Sequence, residues 1–283
     1  MRSPNALHYE EMGPREAPAI LFLHGITGSR RYWRRKVLPL RDRWRLILPD
    51  LLGFGLSPKP HVEYRMDLFR DSVRNLIEEL NLGSRPLFIV AHSLGGLVAL
   101  EYAALHGAHI QRMVLFSLPR FRDKESAHAV FWRGSPHYRR LLNQHSLSET
   151  LAQMKRTGIE VTARYLFRFP WTVLVDSHKF TLNSLTSTLD NCLLNYQVDS
   201  VLHRVPAIPT LLIHGERDSV APLAHLTDLT TFHPHIRLTT VAGTGHHVFL
   251  THTRRCLSLM RGFLEEGVST QGRSSTDRSS ASR

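Results

Sequence analysis

Along the chain, short runs of consecutive apolar residues alternate with stretches whose apolar positions recur every three or four residues. The runs Ala19–Leu23, Arg45–Pro49, Leu87–Ala91, Met113–Ser117, Thr210–His214 and Arg237–Val241 predict strands, with a weaker one at Leu7–Glu11. Unbroken apolar runs of this length suit strands covered on both faces. Between them, MDLFRDSVRNLIEELNLG (66–83) places Phe69, Val73, Leu76, Ile77 and Leu80 on one stripe. Asp67 stands near its start and Gly83 follows its end, so the segment reads as an amphipathic helix. A second helix is predicted from about Leu94 to His106, stopping at Gly107. Strand followed by helix, repeated, predicts an α/β fold with a mostly parallel central sheet flanked by helices.

The alternation fails between Leu118 and Arg204. That stretch is rich in Arg, His, Leu and aromatic residues. SLSETLAQMKRTG and TSTLDNCLLNYQVDSVL have helical spacing, and no convincing strand interrupts them. The pattern resumes at PTLLIHGERD. The expected organisation is a core formed by residues 1–117 and 205–266, a helical insertion at 118–204, and a disordered Ser/Arg-rich tail at 267–283.

Composition narrows the class without naming a reaction. The chain has 283 residues, 42% of them apolar, which is ordinary for a soluble globular protein. Its apolar stretches are strand-sized, far short of the roughly 18–20 residues a membrane span needs. The segment MRSPNALHYEEMG has no apolar core of the secretory-signal kind. Cys192 and Cys256 do not make a disulfide framework, and a reduced cytoplasm is the expected setting. The formal charge of +12 comes mostly from arginine, densest in RRYWRRK (30–36). Such a balance favours acidic partners in general, an acidic carrier protein among them. No helix-turn-helix, zinc-finger or RNA-binding signature points to nucleic acid.

The candidate chemistry lies in IVAHSLGGLVALEYA (89–103). Reversing from a strand into a helix within a few residues forces the turn residue into a strained backbone. The residues two before and two after must then be small. Ser93 occupies the turn of such a G-x-S-x-G pattern, with Ala91 in place of the first Gly and Gly95 at the second. Gly96 permits close packing of helix on strand. A serine there has two readings: a helix N-cap, or a nucleophile held above the carboxyl edge of a sheet, beside the free N–H groups of a helix start.

Four stretches in order decide between them. LFLHGITGS (21–29), LPDLLGFGLS (48–57), VAHSLGG (90–96), and the pair LLIHGERDSVAP (211–222) with VAGTGHHVFL (241–250) resemble the α/β-hydrolase fold superfamily over residues 7–266. The resemblance is to its serine-nucleophile, esterase/lipase-like branch with a helical cap. It implies a Ser…Asp…His triad in that chain order: Ser93 as nucleophile, Asp218 as the acid, and His246 as the base with His247 as its rival. Glu216, in the same loop as Asp218, is the alternative acid and reads as a solvated turn residue. The implied oxyanion hole is the backbone N–H of Leu94 and that of Ile26. His24 is expected to hold its turn by hydrogen bonding, and Asp50 to stabilise its own loop. Relatives that cleave haloalkanes or epoxides use Asp at the elbow, whereas position 93 is Ser, which implies acyl transfer to water.

HHVFLTH does not have the H-E-x-x-H spacing of a zinc helix, and no cysteine or carboxylate cluster joins it. No dinucleotide or phosphate-binding glycine motif is present, so no cofactor and no metal are expected. The insertion corresponds to the superfamily's cap. FWRG (131–134) and YLFRFPW (165–171) offer aromatic side chains either for a pocket wall or for the cap's own packing. The first functional expectation is hydrolysis of a small apolar carboxylic ester or lactone. A second is a carrier-protein ester or thioester hydrolase, or a C–C bond hydrolase of a diketone-like metabolite. A third is a small-molecule receptor on a hydrolase scaffold with residual turnover.

Overall fold

The computed structural model describes residues 6–134, residue 176 and residues 179–276. Its seven strands are β1 (Tyr9–Met12), β2 (Ala19–Leu23), β3 (Arg45–Pro49), β4 (Leu87–His92), β5 (Ile110–Phe116), β6 (Thr210–Gly215) and β7 (Ile236–Val241). They form one sheet in the order β1-β3-β2-β4-β5-β6-β7. β1 runs antiparallel to β3, and every other pairing is parallel. Every residue of β2, β3 and β4 is buried, which is why these strands read as unbroken apolar runs. β1 is an edge strand of four half-buried residues, so its signal was faint. β5 starts at Ile110, three residues upstream of the predicted start, because Gln111 and Arg112 hide polar positions inside it. The Arg112 guanidinium lies over the Phe263 ring at 4.8 Å and pairs with Glu266.

Two cores sandwich the sheet. Leu21, Leu23, Ile89 and Ala91 point to one face, where α2 (Met66–Glu79) and α3 (Leu94–His106) pack. Ile20, Phe22, Phe88 and Val90 point to the other, against Trp33, Phe249, Met260 and Phe263. The period-two alternation of side chains thus divides each apolar run between two cores. α2 buries Phe69, Val73, Leu76 and Ile77 as its spacing predicts, with Asp67 in the first turn. The chain leaves it through Asn81 at φ +50°, ahead of Gly83. Asparagine tolerates the left-handed region better than most residues.

Among the described residues between Leu118 and Arg204, every regular element is helical. α4 (Lys124–Gly134) is followed in the described chain by a helix at Leu182–Leu189. Thr181 and Ser184 close a reciprocal capping box at that helix's start. It continues through one wide turn, Asp190–Leu194, to a short helix at Val198–Leu202. Leu189, Cys192, Leu193, Val198 and Val201 join the α2/α3 core, so this part of the insertion is built into the body of the fold. SLSETLAQMKRTG (146–158), YLFRFPW and the side chains of FWRG lie outside the described residues.

At the other end, the helix Thr253–Thr276 runs past residue 267, where disorder was expected. Backbone helix carries on from the packed turns around Cys256, Met260 and Leu264, a continuation that composition does not register. No helix among the described residues is long and apolar enough to cross a membrane.

The basic cluster RRYWRRK becomes the short helix α1 (Arg31–Arg34), which buries Tyr32 and Trp33. Trp33 meets Phe249 at 4.7 Å, Phe22 at 5.6 Å and Phe116 at 5.8 Å between ring centroids. Trp33→Ala should therefore destabilise the fold by about 3–5 kcal/mol. Urea unfolding checks this, and a loss below about 1 kcal/mol would mean the ring is not the centre of that core.

Candidate active site

β4 ends at His92 and α3 starts at Leu94, leaving Ser93 alone to make the reversal. Its backbone sits at φ +51° and ψ −120°, a conformation L-residues seldom adopt. The Ser93 N–H donates to the Phe116 carbonyl (3.0 Å), and its own carbonyl accepts from Gly96 N–H (2.8 Å). A Cβ at position 95 would lie 2.6 Å from the Leu23 carbonyl oxygen and 2.7 Å from that of His24, so only glycine lets the helix start this close to β2. Position 91 tolerates alanine, buried without exposure.

Three loops reach the serine. Asp218 follows β6 and His246 follows β7, and the two loops are fastened to each other. Glu216 N–H donates to Val241 O (3.3 Å) and Arg217 N–H to Thr244 O (2.8 Å). A Cβ at Gly215 would meet the Gly245 carbonyl oxygen at 2.5 Å. His246 Nδ1 stands 2.9 Å and 3.1 Å from the two Asp218 oxygens, and its Nε2 stands 3.0 Å from Ser93 Oγ. With Nδ1–H donating to the carboxylate, Nε2 is left free to accept the hydroxyl proton. The third loop, after β2, lies against the elbow. A Cβ at Gly25 would be 3.2 Å from Ser93 Cβ, and Thr27 turns the chain at φ +59° beside Ile26. Leu94 is the first residue of α3, so its N–H is among those with no intrahelical acceptor.

The structure thus brings Ser93, Asp218 and His246 into one hydrogen-bonded line. It leaves Glu216 exposed and gives His247 a different place. His247 packs edgewise on His246 at 5.5 Å and against Tyr32 at 6.0 Å. His24 ties two loops together, Nδ1–H donating to Gly25 O and Nε2 accepting from Leu51 N–H, both at 2.8 Å. Asp50 is fully buried and accepts from Arg30 N–H (2.6 Å), Arg30 Nη1 (2.7 Å) and Leu56 N–H (2.8 Å), so it holds its own loop through Leu56 and also ties that loop to the segment after β2 through Arg30.

Two histidines went unremarked in the sequence. His214 donates from Nε2 to Ala221 O (2.6 Å) and lies 3.5 Å from Asp218 Oδ2. His92 donates from Nε2 to the His246 carbonyl (2.9 Å). The available signal was position: one is in β6, four residues before the acid, and the other directly precedes the serine. Asp176, reached from the insertion, is also buried there and accepts from Ser29 Oγ.

Electrostatically, the Asp218 carboxylate stands among imidazoles, His246 and His214. Burial pushes the Asp218 pKa up, but His246 beside it, with the Ala221 N–H and His214, outweighs that and leaves it below the ordinary value. Val220 N–H (2.9 Å) and Ala221 N–H (2.8 Å) both hold Oδ1. Burial lowers His24, His92, His214 and His247, the last to about 3, so all four are neutral at pH 7. Among the described residues no group of His, Cys, Asp and Glu is arranged to hold a metal ion.

Comparison with known proteins agrees with this architecture. The family model described as the alpha/beta hydrolase fold matches residues 18–253. The chain is 25% identical to a cis-3-alkyl-4-alkyloxetan-2-one decarboxylase of Shewanella oneidensis, over 94% of this chain and 87% of that one. It is 27% identical to a 2-hydroxymuconate semialdehyde hydrolase of Pseudomonas sp., over 87% of each. A solved structure from a study of carboxylesterases of Nitrososphaera gargenis superposes with a TM-score of 0.74 at 19% identity, covering 95% of this chain and 99% of that one.

The neutral histidines make stability pH-dependent. His247 takes up a proton at about 3 when folded and near 6.5 when unfolded. Between those values the unfolded chain binds a proton that the native one does not, so stability present above pH 6.5 is lost as pH falls through the window. The expected slope is about 1.4 kcal/mol per pH unit for each such histidine. Urea unfolding of wild type and His247→Phe across this range should give a shallower decline in the variant. Equal slopes would remove His247 from the linkage.

Proposed function

The chain belongs to the α/β hydrolase fold family, and on that premise we propose that it hydrolyses a small apolar carboxylic ester or lactone through an acyl-enzyme on Ser93. The carrying observation is the 3.0 Å approach of His246 Nε2 to Ser93 Oγ, with Nδ1 held by Asp218 at 2.9 Å.

In this reading Ser93 Oγ attacks the carbonyl carbon while His246 Nε2 takes its proton. Asp218 holds the tautomer that allows this and stabilises the imidazolium that forms. The tetrahedral oxyanion is received by the N–H groups of Leu94 and Ile26, donors of a kind worth about 3–4 kcal/mol of barrier. His246 returns the proton to the departing alkoxide oxygen, and the same steps with water release the acid. Ser93 is 2% exposed, so this charge develops where bulk water screens it little. Ile26, Phe180 and Val220 are partly buried apolar residues packed against the core that holds Leu94 and Leu118, a composition that suits an apolar acyl group.

Cleavage of a carbon–carbon bond in a diketone-like metabolite is the second reading. It draws on the 2-hydroxymuconate semialdehyde hydrolase among the relatives, whose name gives a semialdehyde and not an ester as substrate.

Short p-nitrophenyl esters and a fluorophosphonate probe test the first reading. Wild type should turn over the esters and label covalently. Ser93→Ala should not label and should lose roughly 10⁴-fold or more in kcat/KM. His246→Asn should fall similarly while His247→Asn retains most activity. Equal turnover by wild type and Ser93→Ala would sink the mechanism.

A further inference from the structure

His92 closes a ring of contacts around the candidate site. It precedes Ser93 in the chain, and its Nε2–H reaches the backbone carbonyl of His246, whose own Nε2 returns to Ser93 Oγ. Elbow and histidine loop are therefore joined twice, once through each residue of the His92–Ser93 pair. Neighbouring carbonyls of that loop accept from backbone groups, Thr244 O from Arg217 N–H and His247 O from Leu250 and Thr251 N–H, the latter with the Thr251 hydroxyl beside them. The His246 carbonyl accepts from the His92 imidazole, a side chain of a different element.

The ring of His92 is itself locked in place. It stacks on Tyr32 at 4.5 Å and 21°, and it lies 4.9 Å from the His246 ring and 5.4 Å from the His247 ring. On its remaining side, a Cβ at Gly25 would come within 2.7 Å of His92 Nδ1, so the backbone of the loop after β2 abuts the ring. One imidazole thus touches the elbow's strand, the loop carrying Ile26 and the loop carrying His246.

We propose that His92 is a positioning residue, whose Nε2–H holds the His246 backbone so that the His246 imidazole stays in line with Ser93 Oγ. The inference rests on the ester-hydrolase reading and adds a residue to it. A carbonyl acceptor requires the proton on Nε2, which leaves Nδ1 as a bare lone pair. Nδ1 is buried without a hydrogen-bond partner among the described residues, so a second proton there would have no acceptor. Burial, with His246 and His247 alongside, keeps the ring neutral well below its ordinary pKa. Among the described residues, the other titratable groups facing it are Tyr32 from α1 and His24, directly after β2.

A substitution series separates positioning from packing. His92→Phe fills the stack and removes the donor. His92→Gln keeps an N–H where Nε2 was. His92→Asn keeps an amide on an arm too short to reach. With p-nitrophenyl ester, His92→Phe and His92→Asn should each lose about 10²-fold in kcat, with KM little changed. His92→Gln should recover most of the loss, and fluorophosphonate labelling rates should follow the same order. Thermal melts identify any variant that is simply unfolded. Should His92→Phe fail to fold, the Gln–Asn difference still decides. His92→Phe at the wild-type rate, or Gln no faster than Asn, overturns the proposal while leaving the hydrolase reading intact. A wild type inert toward both ester and probe overturns the two together.

Discussion

A single backbone conformation organises this molecule: Ser93 at φ +51° between a strand and a helix that have no other residue in which to turn. Such a conformation costs on the order of 1–3 kcal/mol and persists only where the surroundings over-determine it. Here they do. Phe116 O and Gly96 N–H bracket the turn, and the carbonyls of Leu23 and His24 press where any Cβ at position 95 would be. Strands β2, β4 and β5 are therefore all committed to one elbow. The consequence is directional. The serine hydroxyl leaves the carboxyl edge of the sheet where the loops after β2, β6 and β7 also emerge.

Those loops behave as one unit because their backbones bond to each other. Arg217 N–H reaches Thr244 O across the gap between the acid and histidine loops, and Gly215 lets them approach to a distance that any larger residue would block. Asp218 is fixed by two N–H groups from its own turn before it meets His246. A line of three side chains drawn from residues 93, 218 and 246 thus owes its geometry to main-chain contacts, with side chains added last. That ordering explains how the site tolerates Ala91 in place of glycine while Gly25, Gly95 and Gly215 stand at positions without room for a Cβ.

Much of this was legible in the sequence because parallel strands buried on both faces leave unbroken apolar runs. β2 and β3 fall on their predicted residues, and α3 ends at His106 as read. The family's motif order pointed to Ser93, Asp218 and His246, three residues that stand within hydrogen-bond distance in a line. What was illegible has physical reasons. Tyr32 and Trp33 sit among arginines, so the segment reads as a charge cluster, although Arg30 is absorbed by buried Asp50 and the two aromatics by the core. Asn81, in place of a glycine, ends α2. His92 occupies the unspecified position of the motif, where a pattern cannot report that a ring nitrogen reaches a carbonyl 154 residues away.

The histidines around Asp218 carry a last consequence. A positive charge on His92, His214 or His247 would stabilise the carboxylate and also oppose the imidazolium that His246 becomes in the proposed reaction. Burial removes that conflict by keeping each ring neutral while still presenting one N–H. His214 gives its N–H to the Ala221 carbonyl, in the loop that carries Asp218, and His92 gives its own to the loop that carries His246. Lysine or arginine at either place would bring the donor with a fixed charge that desolvation penalises heavily. Several of the chain's arginines are paired with carboxylates of their own. Arg30 is spent on Asp50, Arg120 on Asp199 and Asp228, and Arg45 on Glu11. Imidazole thus gives the sheet edge directional donors without fixed charge, and the carboxylate of Asp218 faces the His246 ring 2.9 Å from its Nδ1.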